Sequence, residues 1–520
     1  MSEKRHIVRA ATVLGAATML SRIMGMVRDM VVSRLFGAGL YTDAFFAAFQ
    51  IPNMLRRFFA EGALTSAFVP TFSQWLTQKG EEEARELANV CFTLLTIVMA
   101  VVTLLGILFS PVIVGILFRG WLTAAPEKFH LTIFLNRLMF PYIFFVSLVA
   151  LAMGILNSIR HFFTPAISTV FLNLSMIAAA FLLHSRFDVP IVSLAVGVLA
   201  GGVLQLLLQL PTLYRLGFPL RLRFNFSHPG VRRIALLMVP SVFGVGVYYL
   251  NITVGSFLAS YLPQGSVSYL YYAQRLFEFP QGLVTVSVAQ AVLTSMSRQA
   301  AAGEMDGLKD SISFGIRLTL FITIPAAVGL MVAATPIFSL LFMGGEFDYS
   351  KAVHCGQALF YYSLGLSFVA LVRVLAPAFY AQRDTRTPVI VALIAFFVNL
   401  VASLLLMKPL LHGGLALASS ISALCNMLLL LYMLRRKIGP FGGRAILNGA
   451  LRTVLATIPM FLFVYWALTW ADWSLVGGKM AKGVALGSGI VGGGALFLVA
   501  AILLRCREAH ELVGLVRRRL

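Results

Sequence analysis

Eight arginines interrupt apolar stretches of this chain: Arg22, Arg28, Arg34, Arg56, Arg57, Arg137, Arg275 and Arg373. Only four acids do the same, Asp29, Asp43, Glu61 and Glu278. A guanidinium among apolar residues near a bilayer centre costs roughly 2.5–3.5 kcal/mol on insertion scales, so it must face water, a partner or an anion. Four carboxylates cannot neutralise eight arginines. The surplus suits a phosphate-type ligand, because the planar guanidinium fork donates two parallel bonds to neighbouring oxygens.

Spacing sharpens this. Five of the arginines and three of the acids precede residue 62. On a helix, Arg22, Gly25 and Asp29 share a face with Arg28 beside it, and Gly25 leaves room there for a ligand or another backbone. Arg57 and Glu61 are i, i+4 and can pair; Arg56 points to a neighbouring face. Arg275 and Glu278 form an i, i+3 pair later in the chain. Plainer roles stand beside these. Arg34 can snorkel from the end of its helix. Arg137 and Arg373 can each meet an internal acid or carbonyl. Arg57 with Glu61 can be a fold-stabilising pair. Asp43, soon after Gly37-Ala38-Gly39, can cap a helix N-terminus.

Other chemistries find little support. The four cysteines, Cys91, Cys355, Cys425 and Cys506, lie far apart and read as small buried hydrophobes. The eight histidines form no His-x-x-x-His pair, and no metal site is suggested. No Gly-x-x-x-x-Gly-Lys-Ser/Thr loop is present, so ATP hydrolysis and a bound cofactor are not expected.

The elements that carry these residues are membrane helices. Of 520 residues, 59% are hydrophobic and 12% charged, a balance no soluble exterior can accommodate. Hydropathy and breakers give fourteen segments, near 7–36, 41–75, 86–118, 129–158, 164–184, 189–213, 231–260, 267–297, 311–342, 352–381, 387–408, 413–434, 445–470 and 483–504. The first two are polar enough for a simple hydropathy window to miss. Pro52, Pro70, Pro141, Pro240, Pro280, Pro325 and Pro377 fall inside segments and should bend or break them. The start reads as a retained first span and not a cleaved leader, since Arg22 and Arg28 interrupt its apolar run.

Connection charges predict the orientation. Odd-numbered connections carry seven cations: Arg119, Lys128, Arg186, Lys351, Lys408, Lys479 and Lys482. The termini and even-numbered connections carry 26. The positive-inside rule then places both termini in the cytoplasm. It also accounts for most of the net charge of +21 without nucleic-acid binding.

The chain repeats itself at a steady offset. Gly80-Glu81 matches Gly303-Glu304, Phe118 with Gly120 matches Phe342 with Gly344, and Thr164-Pro165 matches Thr387-Pro388. The expected organisation is a six-helix lobe at 1–216, a basic cytoplasmic connection at 217–230, a second six-helix lobe at 231–438, and two additional helices at 445–505. Two like lobes suit an alternating-access transporter.

The residues that carry the charges also carry a resemblance. Ser21-Arg22 with Arg28-Asp29, Phe36-Gly37-Ala38-Gly39, Thr42-Asp43-Ala44-Phe45-Phe46 and Pro52-Asn53 through Glu61-Gly62 are similar to the MurJ (MviN) family. So are Tyr271-Tyr272-Ala273 with Arg275, Glu278-Phe279-Pro280 and Leu375-Ala376-Pro377. The likeness covers nearly the whole chain. It implies a lipid II flippase of the bacterial inner membrane, in the superfamily that holds MATE exporters. It further implies fourteen spans in two lobes around a cationic cavity, with a groove at the last two spans for the polyprenyl tail. By that likeness Arg22, Arg28, Arg56, Arg275 and Ser21 bind substrate; Asp29, Asp43, Arg57, Glu61 and Glu278 support the cavity or its gates. Gln274 departs from the family, in which many members carry Asp. Some members bind sodium through acids in spans seven, eleven and twelve; here the groups are neutral, as at Asn251, Asn399, Ser403 and Asn426.

The expected function is transfer of an undecaprenyl-pyrophosphate-linked disaccharide-peptide from the cytoplasmic to the periplasmic leaflet for peptidoglycan synthesis. Its partners would be lipid II, membrane lipid and, as candidates, cell-wall synthesis proteins. The membrane potential or an ion gradient would supply the energy. The rivals are a flippase for another polyprenyl-pyrophosphate-linked saccharide and a MATE-like antiporter, which would want an acidic or aromatic cavity.

Overall fold

The computed structural model describes residues 3–56, 64–225, 227–282 and 286–511. Arg57 and Glu61 lie outside the described residues. The described part is helical throughout, with a single isolated bridge between Gly344 and Phe347. The chain divides into two compact units, residues 1–265 and 266–520.

In the first unit the helices are α1 (Glu3–Phe36), α2 (Leu40–Arg56), α3 (Thr65–Lys79), α4 (Glu81–Leu108), α5 (Ser110–Leu117), α6 (Arg119–Ala124), α7 (Pro126–Met139), α8 (Tyr142–Ser158), α9 (Phe163–Leu183), α10 (Val192–Arg215) and α11 (Pro229–Ala259). In the second they are α12 (Ser266–Pro280), α13 (Val286–Ala302), α14 (Met305–Val332), α15 (Ala334–Leu341), α16 (Tyr349–Leu364), α17 (Leu366–Ala381), α18 (Arg386–Ile438), α19 (Gly443–Leu468) and α20 (Lys479–Leu503). Each of the fourteen segments expected from sequence meets a helix or a broken pair. Eight helices among the described residues are long and apolar enough to cross a membrane, or nine with the bent pair α16–α17. Polar α1 and α2 fall outside that test. The eleventh and twelfth expected segments run together in α18 through a turn at Leu411 (φ 50°, ψ −131°), so that one helix covers two of them.

The helix breaks follow only some of the prolines: Pro141 stands in the break between α7 and α8, and Pro280 is the last residue of α12. Pro52, Pro70, Pro325 and Pro377 stay within α2, α3, α14 and α17. The 41° bend between α16 and α17 falls instead at Gly365. A Cβ there would lie 2.6 Å from the Ser420 hydroxyl. That hydroxyl donates to the Tyr361 carbonyl at 2.6 Å, capturing an acceptor the helix ladder would otherwise use.

Helix α11, expected to open the second lobe, packs in the first unit. Val231 and Ile234 join a core with Phe68, Phe72, Leu87 and Leu151, and Ser256 donates to Gln50 at 2.8 Å. The basic connection at 217–230 runs along α4. Arg221 and Arg223 donate their backbone N–H groups to Asn89 and Thr93, at 2.8 and 2.7 Å.

The repeat shows in local geometry. Gly80 and Gly303 both take positive φ (90° and 73°) just before a helix. Arg160 and Arg383 both take left-handed φ (63° and 59°) just after one. There the following N–H reaches back five residues: His161 to Leu156 at 2.8 Å and Asp384 to Phe379 at 2.9 Å. This is the Schellman closure of a helix end, usually made by glycine.

Candidate functional site

In the first unit, α1 packs on α9, and this contact sorts the first-span arginines. Arg28 is buried. Its guanidinium meets the Asp29 carboxylate at 2.7 Å, with both side chains 4% exposed. It also donates to the Asn173 amide oxygen of α9 at 3.1 Å. The Asn173 amide nitrogen in turn donates to the Ser21 carbonyl at 3.3 Å. A Cβ on Gly25 would sit 3.9 Å from that amide, so the room at Gly25 is filled by Asn173. Arg22 is half-buried and makes no ion pair or hydrogen bond among the described residues. Arg56, at the end of α2, is half-buried and donates to Asn53 at 3.1 Å.

Asp43 is the fourth residue of α2 and fully buried. It lies inside the helix and is not its N-cap; the Thr42 hydroxyl, in the same first turn, reaches back to accept from the Gly39 N–H at 2.9 Å. The Asp43 carboxylate accepts from Lys128 Nζ at 2.9 Å and from the Gly265 N–H at 2.7 Å. Lys128 was expected among the odd-connection cations. In the structure it lies in the first turn of α7, 4% exposed at its side chain, over the Trp121 ring at 4.8 Å. Asp43 therefore serves a lysine, which adds to the surplus of buried cations.

In the second unit Arg275 and Glu278 stand 4.0 Å apart on α12, each 39% exposed. Gln274 donates to Glu278 at 3.1 Å, so it occupies that acid as a neutral donor. The Arg275 guanidinium also lies over the Tyr271 ring, 5.5 Å from its centre. Arg137 donates to the Ile107 carbonyl at 3.3 Å, as one reading expected. Arg373 does not match the internal partner expected for it: it is exposed on α17 and makes no ion pair among the described residues. Among the neutral groups noted in spans eleven and twelve, Ser403 donates to Asn399 at 3.5 Å. No cluster of three His, Cys, Asp or Glu occurs among the described residues.

Lys482, also expected in a connection, is 1% exposed in α20. It donates to the Ser339 hydroxyl at 2.8 Å and to the carbonyls of Trp473 and Leu475. This ties the α19–α20 connection to α15. The same unit holds an apolar groove of about 410 Å³. Val328 and Met331 of α14, Phe360 of α16, and Val454, Ile458 and Phe461 of α19 line it. The groove thus uses the first of the two additional helices, and α20 contributes none of its lining.

The sequence reading passed over Asn173, Lys128 and Lys482. Asn173 did leave a signal: a lone amide within Val170–Met176 is expensive in a bilayer and must have a polar partner.

Comparison with known proteins decides the family. The family model "Lipid II flippase MurJ" matches residues 32–483. The chain belongs to the MurJ family. A "Probable lipid II flippase MurJ" of Vibrio cholerae is 37% identical over 97% of this chain and 98% of its own length. A "Lipid II flippase MurJ" of Burkholderia cenocepacia is 37% identical over 83% and 84%. The solved structure "Lipid II flippase MurJ, inward closed conformation" matches with a TM-score of 0.79 at 25% identity, covering 96% of this chain and all of that one. A multidrug MATE transporter in an inward-facing conformation matches with a TM-score of 0.67 at 15% identity over 82% of this chain. That likeness shows the MATE fold alone. Family membership makes the chain a multi-span membrane transporter and not an enzyme.

Proposed function

We propose that this chain moves lipid II from the cytoplasmic to the periplasmic leaflet of the bacterial inner membrane by alternating access. Likeness to relatives of that printed function along nearly the whole chain supports the substrate. The observation that carries the binding step is Arg22. It is a half-buried cation in a membrane helix whose surroundings include no acid bound to it among the described residues. By the sequence resemblance, Arg22, Arg56 and Arg275 take the pyrophosphate oxygens. Arg28, whose guanidinium is held by Asp29, Asn173 and Met176, keeps the substrate-binding role that the sequence resemblance gives it. Ser21 joins the arginines at the substrate, and Asp29 and Glu278 keep the arginines beside them in place. Asp43 belongs to a gate held by Lys128. Arg57 and Glu61 keep the supporting role that the sequence resemblance gives them.

The polyprenyl tail occupies the apolar groove beside α19, whose lining offers it little but carbon. The membrane potential or an ion gradient drives the cycle, and both termini stay in the cytoplasm.

Depletion in growing cells tests the reading. Lipid II should still be made but become inaccessible to an externally added toxin that cleaves it. Normal cleavage after depletion would assign flipping to another protein. Translocation in proteoliposomes, with and without an imposed potential, separates the two energy sources.

A further inference from the structure

Past α20 the chain turns back on itself. Arg505 takes left-handed φ (53°), and the Cys506 N–H closes onto the Ala501 carbonyl at 2.9 Å. The segment that follows is part of the core. Cys506 and Ala509 are each 1% exposed, in one cluster with Phe321 of α14, Ala456 of α19 and Phe497 of α20.

Between them lies Glu508. Its carboxylate accepts from Arg317 of α14 at 2.8 Å, with side chains 3% and 14% exposed. This pair crosses α19 at Gly449. A Cβ added there would meet Arg317 Cδ at 3.5 Å and the Glu508 carboxylate at 3.9 Å. Arg452 of α19 donates to the Arg505 carbonyl at 2.7 Å. Three pieces of chain are therefore joined at one point: α14, α19 and the C-terminal segment.

That point sits next to the groove. Arg317 precedes the lining residues Ile324, Val328 and Met331 by about two to four turns of α14, on the same helical face. The groove's two principal walls are α14 and α19, so their spacing is its width. A buried ion pair adds little net stability over an apolar filling, yet it fixes one geometry.

We propose that the Glu508–Arg317 pair clamps α14 against α19, which makes Glu508 a positioning residue for the polyprenyl chain. The proposal rests on the reading above that the groove takes that tail.

The test uses purified full-length protein and two probes, undecaprenyl pyrophosphate and farnesyl pyrophosphate. Glu508→Gln and Arg317→Gln should lose about tenfold in affinity for the long chain and keep the parent's affinity for the short one. The exchange R317E/E508R should restore the long-chain affinity. Gly449→Leu wedges the same crossing with both charges intact, and should reproduce the selective loss. Folded variants that bind the long chain as the parent does would overturn the clamp. A parent that binds both probes equally would overturn the tail reading instead. The clamp is then judged by spin labels at Asp310 and Leu447, both exposed. Their distance should be narrow in the parent and broad in Glu508→Gln; equal distributions would overturn it.

Discussion

Arg22 and Arg28 share one helix, and their surroundings give them different work. Arg28 is matched by Asp29 and Asn173; Arg22 has no such match among the described residues. Arg22→Ala should leave the melting temperature near the parent's and weaken pyrophosphate binding, by about 1.5–3 kcal/mol per lost charge-assisted bond. Arg28→Ala strands the Asp29 carboxylate and should destabilise the fold by about 3–5 kcal/mol as well. Titration calorimetry beside thermal unfolding reads both quantities. Lys128 makes a parallel case. Lys128→Met leaves Asp43 buried with its Gly265 N–H but without its cation, and should cost a similar 3–5 kcal/mol. Unfolding of the purified variant checks this, and an unchanged melting temperature would count against the pair.

Helix ends here are set by side chains that reach across turns. Asp384 lies in the turn before α18. It accepts from the Thr387 N–H at 3.0 Å and the Thr387 hydroxyl at 2.9 Å, as an N-cap does. Lys437, near the far end of α18, donates to it at 2.7 Å. The Lys437 hydrogen bond, followed by the Thr387 N–H, lowers its pKa from 3.8 to about 2. The folded state thus favours the charged form. Its contribution is fully present above the unfolded carboxyl's range and is lost as pH falls through the folded value. Asp384→Asn should therefore melt below the parent at pH 7, and the gap should close between roughly pH 4 and pH 2. A gap that persists at the lowest pH would mean the turn depends on shape and not on charge. The bend at Gly365 belongs to the same scale, since Ser420 reaches it from α18.

At the scale of the molecule, connection charge sets orientation through the cost of moving cations across the membrane. The bias survives the relocation of Lys128 and Lys482 into buried positions, because both had been counted on the sparse side. Removing them leaves that side poorer in cations. A cysteine at Ser227, in the basic connection, should resist an impermeant thiol reagent in intact cells, after the native cysteines are replaced. One at Ser474, in the exposed α19–α20 connection, should be labelled. The opposite pattern would invert the orientation.

The sequence alone was enough for the membrane class, the positions of the helices and the surplus of arginines over acids. These follow from local composition: an apolar run long enough to span a bilayer is a helix wherever it lies. The family was also legible, because its signature is dense in the first two spans. Pairing was not legible. Lys128 finds Asp43 across 85 residues, Arg28 finds Asn173 across 145, and Arg317 finds Glu508 across 191. The bend at Gly365 belongs to Ser420, not to nearby Pro377. Which carboxylate neutralises which cation depends on which helix faces pack. Burial makes that choice strong, since an unmatched charge away from water costs several kcal/mol, but only the folded chain brings the partners within reach.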